Sequence, residues 1–247
     1  MTQKADHRQV SVLVSIEGNL GVGKSSFLEW FEGDEEVTVL KEPVERWEAV
    51  GNENLLELKY VNSQRWEFTF QIYADVTRLI QLRDSQGKGK IRLQERSLLT
   101  AHKIFCALQR EAGAVTEAES SVLETWFENM SQTGSQVQVV PDLFVYLRTD
   151  PKIAFQRMQK RGREAERTVS IDYLTKVHEF HEKVFITEAH LLPSPVLVLE
   201  ADVKEHLMSY LWADCITRID LLRKAKHTDA ALLEEFMQEL EAAGTAC

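Results

Sequence analysis

The chain has 247 residues, enough for one large α/β domain with a buried core. Its 44 % apolar and 28 % charged residues are ordinary for a globular protein and exclude a low-complexity or collagen-like chain. A formal net charge of −10 argues against non-specific binding to nucleic acid or an anionic membrane, yet leaves room for a local basic site.

The first ten residues carry Lys4, Asp6, His7 and Arg8 without an apolar run, which reads as neither a signal peptide nor a transit peptide. The first strand is predicted at 10–16 and leads into Gly18-Asn19-Leu20-Gly21-Val22-Gly23-Lys24-Ser25, followed by Ser26. These residues fit G-x-x-x-x-G-K-[ST] at every fixed position, with a strand before and a helix after. The backbone N–H groups of Gly18, Asn19, Leu20, Gly21, Val22, Gly23 and Lys24, with Ser25 and Ser26, are expected to cradle the phosphates of a nucleoside triphosphate. Lys24 should reach the β- and γ-phosphates and the Ser25 hydroxyl should ligate Mg²⁺.

A second strand at 37–41 ends in Glu42-Pro43-Val44-Glu45-Arg46-Trp47, and a third at 91–94, after the Gly87-Lys88-Gly89-Lys90 turn, ends in Glu95-Arg96-Ser97. Ser97 is the predicted cap of a helix running to about Arg110. A fourth strand at 143–147 is followed by a helix starting at Asp150-Pro151. Another helix follows Ser170, and a fifth strand is predicted at 196–199. Strands alternating with helical lengths of chain predict a five-stranded parallel sheet flanked by helices on both faces. The tail near 230–243, with Leu232, Leu233, Phe236 and Leu240, is predicted to be an acidic amphipathic helix packed on the domain or on a second subunit. The whole of 1–247 reads as one domain.

Ligands of such sheets bind beyond the carboxyl ends of the strands, where three charged segments converge. Glu42 is placed to accept a proton from an attacking hydroxyl. Arg96 is placed to hold the substrate and offset negative charge, and Glu95 to complete the Mg²⁺ shell. A GTPase is excluded because no N-K-x-D sequence occurs, and Asp84-Ser85-Gln86-Gly87 lies before the third strand and reads as a turn. His178-Glu179-Phe180-His181-Glu182 lacks the spacing of a zinc protease. Cys106, Cys215 and Cys247 lie far apart and suggest a reducing compartment. No apolar run approaches the roughly 20 residues of a membrane span. The expected location is the cytoplasm or nucleus, with no nucleic-acid or membrane partner.

Glu17 to Ser25, Glu42-Pro43-Val44-Glu45-Arg46-Trp47 and Glu95-Arg96-Ser97, in this order and spacing, resemble the deoxyribonucleoside kinases. That family holds the insect multisubstrate kinase, deoxycytidine and deoxyguanosine kinases and mitochondrial thymidine kinase. The resemblance runs from about Val10 to Val203. It implies a P-loop nucleoside-kinase fold, a homodimer, and transfer of the γ-phosphate of ATP to the 5′-hydroxyl of a deoxyribonucleoside. Glu42 matches the base on that hydroxyl and Arg96 the arginine beside it. Tyr60 and Glu166 match the partners of the sugar 3′-hydroxyl, Trp47, Phe70 and Phe105 the aromatics around the base, and Gln71 the amide reading the base edge. Arg157, Arg161, Arg163 and Arg167 look like the lid near 157–167, with Arg161 and Arg163 the expected actors on the transferring phosphate. A nucleoside monophosphate kinase and a non-catalytic kinase-fold accessory subunit are the alternatives.

The helix spacing agrees, since Gln71, Ala74 and Arg78 share one face, as do Ala101 and Phe105. Members that prefer deoxycytidine and purines pair an Arg at the Arg78 position with an Asp at the Ala101 position. Those that accept thymidine carry Val, Met and Ala where this chain has Ala74, Arg78 and Ala101. Arg78 is therefore expected to lack a partner in the pocket, which suggests a roomy site with broad base tolerance.

Overall fold

The structure, a computed structural model, describes residues 11–131, 137–228 and 236. The predicted tail helix near 230–243 lies outside the described residues apart from Phe236, which is buried in the main core. Strands β1 (Val12–Glu17), β2 (Val37–Leu40), β3 (Ile91–Glu95), β4 (Leu143–Arg148) and β5 (Val196–Glu200) form one parallel sheet in the order β2-β3-β1-β4-β5. Each of the five strands overlaps its predicted span within one or two residues. The central β1 sits between β3 and β4, with Val14 opposite Leu93 on one side and Leu143 on the other.

Both faces of this sheet are buried, which is why its strands read as continuous apolar runs. Along β4, Leu143, Val145 and Leu147 join Val12, Val14 and Ile16 of β1 in one core cluster. The alternate Phe144 and Tyr146 pack on the opposite face with Leu99, Ile104, Val184 and Phe185. The first face is covered by α1 (Lys24–Trp30), α8 (Pro151–Arg161) and α10 (Met208–Thr228), through Phe27, Leu28, Ala154, Met158, Cys215, Ile219 and Leu222.

Side chains fix the helix starts that matter for the site. After α2 (Val44–Glu48), Asn54 caps α3 (Leu55–Val61) and Asn62 caps α4 (Ser63–Asp84), so the chain breaks direction between two helices that both face the cavity. Ser97 accepts from the Thr100 N–H, Asp150 from Lys152 N–H, and Ser170 from Tyr173 N–H at the head of α9 (Ile171–Glu182). The helix expected from Ser97 to about Arg110 is interrupted: after Leu98–Thr100 (α5), Ala101–Cys106 forms a π-turn before α6 (Ala107–Glu111), and α7 (Glu117–Ser131) follows. Such widened turns carry one extra residue per turn and often sit at functional sites. Asp84 closes α4 and the following residues form a turn.

Candidate active site

A cavity of about 1090 Å³ opens at the carboxyl ends of the strands. At one end lies the phosphate loop. Gly21 has φ +76°, and a Cβ there would stand 2.2 Å from the Ala154 carbonyl oxygen in the first turn of α8. Only glycine lets the loop lie this close. The Asn19 side chain points inward, donating to the Leu174 carbonyl (2.7 Å) and accepting from the Leu20 N–H (2.8 Å). It therefore fastens the loop to α9 instead of facing the cavity, whereas Leu20 through Ser26 line it. Lys24 is buried and folded back, donating to the carbonyls of Asn19 (2.6 Å) and Gly18 (3.1 Å). Burial first, then the Arg96 charge, pull its ammonium down to about pKa 7.

The strand ends meet next to this loop. Glu42 Oε1 accepts from Arg78 Nη2 at 2.7 Å and from Arg96 Nη1 at 2.8 Å, and all three side chains are almost wholly buried. Arg78 is thus paired, against the sequence expectation, because Glu42 reaches it from a strand end 36 residues away. Burial pushes Glu42 up, but the guanidiniums of Arg96 and Arg78 and the Lys24 ammonium outweigh it and hold the carboxyl well below the usual range. Arg96 is the only non-glycine residue with positive φ (59°) among the described residues. That strained backbone holds its side chain over the Phe105 ring, 5.0 Å from the centroid. The buried Glu17 accepts from the Ser97 N–H at 3.0 Å and from the Ser15 hydroxyl at 2.6 Å. It ties the end of β1 to the Glu95-Arg96-Ser97 turn.

Ser25 Oγ lies 3.2 and 3.3 Å from the two Glu95 carboxylate oxygens. One hydroxyl and one carboxylate are hard oxygen donors and fit Mg²⁺, which takes few protein ligands and completes its shell with water and phosphate oxygens. Among the described residues no cluster of three or more His, Cys, Asp or Glu offers a rival metal site.

At the other end the cavity is lined by Trp47, Tyr60, Phe70, Gln71, Ala101 and Phe105. Trp47 donates to Thr77 Oγ1 at 2.9 Å and meets Phe70 edge-on at 5.4 Å. Ala74 is fully buried in the cluster behind this wall and does not line the cavity. Gln71 is not unsatisfied: its Nε2 donates to Glu67 Oε1 at 2.7 Å. Glu67 has no exposure and pairs with Lys59 Nζ at 3.7 Å. Lys59 lines the cavity, its ammonium 4.6 Å from the Phe70 ring centroid and 5.0 Å from that of Tyr60. Burial raises the Tyr60 phenol pKa and pushes that of the neighbouring Tyr173 up to about 12, so both stay neutral.

The four arginines near 157–167 divide. Arg161 and Arg163 line the cavity and grip the buried Glu166, at 2.5 and 3.2 Å. Arg157 also borders the cavity, but its guanidinium donates to the carbonyls of Ala201 (3.0 Å) and Val203 (3.4 Å). Arg167 is mostly exposed and pairs with Glu164. His181 is neutral, driven down to about 3 by burial, with Nδ1 at 2.7 Å from the Val177 carbonyl.

Sequence reasoning missed Glu17, Lys59, Glu67, Tyr173 and the wall formed by Val203, Lys204, Met208 and Trp212. For Lys59 and Glu67 a signal existed: each charge sits at a helix position among apolar neighbours, where an unpaired charge is costly.

The family model for deoxynucleoside kinases matches residues 14–216. Human mitochondrial thymidine kinase 2 is 35 % identical over 226 residues, covering 91 % of this chain and 83 % of that one. Mouse deoxycytidine kinase is 31 % identical, covering 76 % and 83 %. Mitochondrial deoxyguanosine kinase of Xenopus laevis is 30 % identical, covering 68 % and 71 %.

Proposed function

The chain belongs to the deoxynucleoside kinase family, and from that premise we propose that it transfers the γ-phosphate of ATP to the 5′-hydroxyl of a deoxyribonucleoside. The observation that carries the reading is the meeting of Glu42, Arg96 and the Ser25–Glu95 pair in one cavity, between a phosphate loop and an aromatic pocket with an amide. The 5′-oxygen bonds to the γ-phosphorus as the bond to the β,γ-bridging oxygen breaks and ADP leaves. The hydroxyl proton passes to Glu42, whose Oε2 takes no hydrogen bond among the described residues. A carboxylate held so far down is a weak base. That suits a loose phosphoryl transfer, in which positioning and charge stabilisation outweigh early proton removal.

Lys24 would leave the loop carbonyls for the phosphates, and Ser25 with Glu95 would hold Mg²⁺, whose charge would offset that of the phosphates. Arg161 and Arg163 act as the lid: their grip on Glu166 keeps them beside the cavity until a phosphate competes for them. Tyr60 and Glu166 hold the 3′-hydroxyl, while Trp47, Phe70 and Phe105 enclose the base. A monophosphate acceptor would set a second phosphate against Glu42, and a non-catalytic role would leave the Ser25–Glu95 pair without a use. Arg78 is paired with Glu42, so no unpaired cation favours a broad tolerance of bases.

Incubation with ATP, Mg²⁺ and a panel of deoxynucleosides and deoxynucleoside monophosphates tests the reading. A 5′-monophosphate formed from a nucleoside is expected, and phosphorylation of monophosphates alone defeats it. The homodimer belongs to the same proposal and is tested by light scattering. No helix among the described residues is long and apolar enough to cross a membrane. The cytoplasmic location expected from the sequence contrasts with relatives named mitochondrial, and imaging of the tagged full chain decides between them.

A further inference from the structure

An amide that reads the edge of a pyrimidine at N3 and position 4 must face opposite ways for two kinds of base. Cytosine offers an acceptor at N3 and an amino donor at position 4. Thymine and uracil offer a donor at N3 and a carbonyl acceptor at position 4. A glutamine serves both only if it is free to turn over, exchanging its oxygen and nitrogen.

Gln71 is not free to turn. Its nitrogen end lies 2.7 Å from Glu67 Oε1, and Lys59 Nζ lies 3.7 Å from the same oxygen, which therefore accepts N–H donors. Turning the amide would set its carbonyl oxygen against that buried carboxylate oxygen, two acceptors facing each other. The arrangement is costly to keep: Glu67 has no exposure, and its Oε2 is buried without a partner among the described residues. Packing alone would be served as well by two apolar side chains.

The sense in which the amide is held follows from its neighbours. Glu67 lies one helical turn before Gln71 on α4, and Lys59 comes from α3 beside Tyr60, the residue assigned to the sugar. With the sugar at Tyr60, the Nε2 end faces the sugar side of the pocket and the carbonyl end faces away from it. A carbonyl at the far end of a pyrimidine edge accepts a hydrogen bond only from an amino group at position 4.

Resting on the kinase reading above, we infer that Glu67, held by Lys59, is a positioning residue that fixes the sense of Gln71 and selects 4-aminopyrimidine over 4-oxopyrimidine deoxynucleosides.

The test compares kcat/KM for deoxycytidine and deoxyuridine, which differ in the base only at N3 and position 4. The wild-type protein is expected to favour deoxycytidine by at least tenfold, and a preference for deoxyuridine or a ratio within twofold of one overturns the inference. The double variant Lys59→Met/Glu67→Leu removes both charges together and so leaves neither unpaired. In it the ratio is expected to fall at least fivefold, mainly through a better KM for deoxyuridine. A merely structural pair would lower both values and leave the ratio unchanged, which also overturns the inference. Should the variant not fold, the wild-type ratio still decides. Failure of the wild type to phosphorylate any deoxynucleoside would defeat the kinase reading, and this inference with it. A kinase with the wrong ratio defeats the inference alone.

Discussion

Replacing Glu42 by Gln is the most informative single change, because it separates chemistry from architecture at one atom. Glu42 Oε1 is the shared acceptor of Arg78 and Arg96 in a buried arginine–carboxylate–arginine cluster. Gln keeps a carbonyl acceptor of the same reach but removes the charge. Breaking a buried pair outright costs about 3–5 kcal/mol, and the retained acceptor recovers part of it, so a loss of about 2–3 kcal/mol is expected. The side chains are about nine-tenths buried, so solvent screening discounts this little. For a chain of this size that is a fall in Tm of roughly 5–10 °C. The loss of the proton acceptor lowers kcat by about 10²–10⁴, or roughly 2.7–5.5 kcal/mol in the barrier. The assay is steady-state formation of deoxynucleoside monophosphate at saturating ATP and Mg²⁺, well below the lowered Tm. ATP affinity is measured in parallel through the fluorescence of Trp30 and Trp212, which border the cavity. A kcat within threefold of wild type, together with the fall in Tm, would show Glu42 to be purely structural and refute the reasoning.

Burial and Arg96 hold the Lys24 ammonium near pKa 7 in the free protein, and the phosphates of ATP raise it on binding. Calorimetry at pH 8 in buffers of different ionisation enthalpy should then report uptake of up to about one proton per ATP, absent in Lys24→Met, and buffer-independent heats would contradict the account. The linkage has a definite sign. The folded pKa lies below the unfolded 10.5, so burying this charge destabilises the ligand-free protein most below about pH 7 and progressively less as pH rises toward 10.5. Glu95→Gln weakens the hard-oxygen pair with Ser25, and the Mg²⁺ concentration for half-maximal rate should rise about tenfold with Tm almost unchanged. An unchanged Mg²⁺ dependence would remove Glu95 from the metal site. Gly21→Ala drives a methyl group into the Ala154 carbonyl and should weaken ATP binding by at least about a hundredfold, whereas Gly33→Ala meets nothing within 4 Å and should cost only about 1–2 kcal/mol of stability. Equal effects of the two on ATP affinity would mean that loop seating is not what Gly21 provides.

The parts legible in the sequence are those whose physics is local. The strands of a sheet buried on both faces show as short unbroken apolar runs, and their spacing predicted β1 to β5 almost to the residue. Ser97, Asp150 and Ser170 were readable because a cap satisfies backbone groups two or three residues away. The phosphate loop was readable because its backbone demands glycine at fixed steps. The π-turn at 101–106 was not, since apolar spacing alone does not distinguish a widened turn from an α-helical one.

The long-range polar pairs were hidden for a different reason. Arg78 finds Glu42 across 36 residues and two secondary-structure elements, and nothing near either residue announces the other. Lys59 and Glu67 are only eight residues apart, yet a continuous helix would hold them about 12 Å apart along its axis. They meet because Asn62 ends one helix and caps the next, turning α3 back against α4. The Asn62 cap thus helps bring Lys59 and Glu67 together beside Gln71. On the role inferred for Gln71, specificity follows from how α3 meets α4 as well as from the residues that touch the ligand, and that is the property a residue-by-residue match to relatives carries least well.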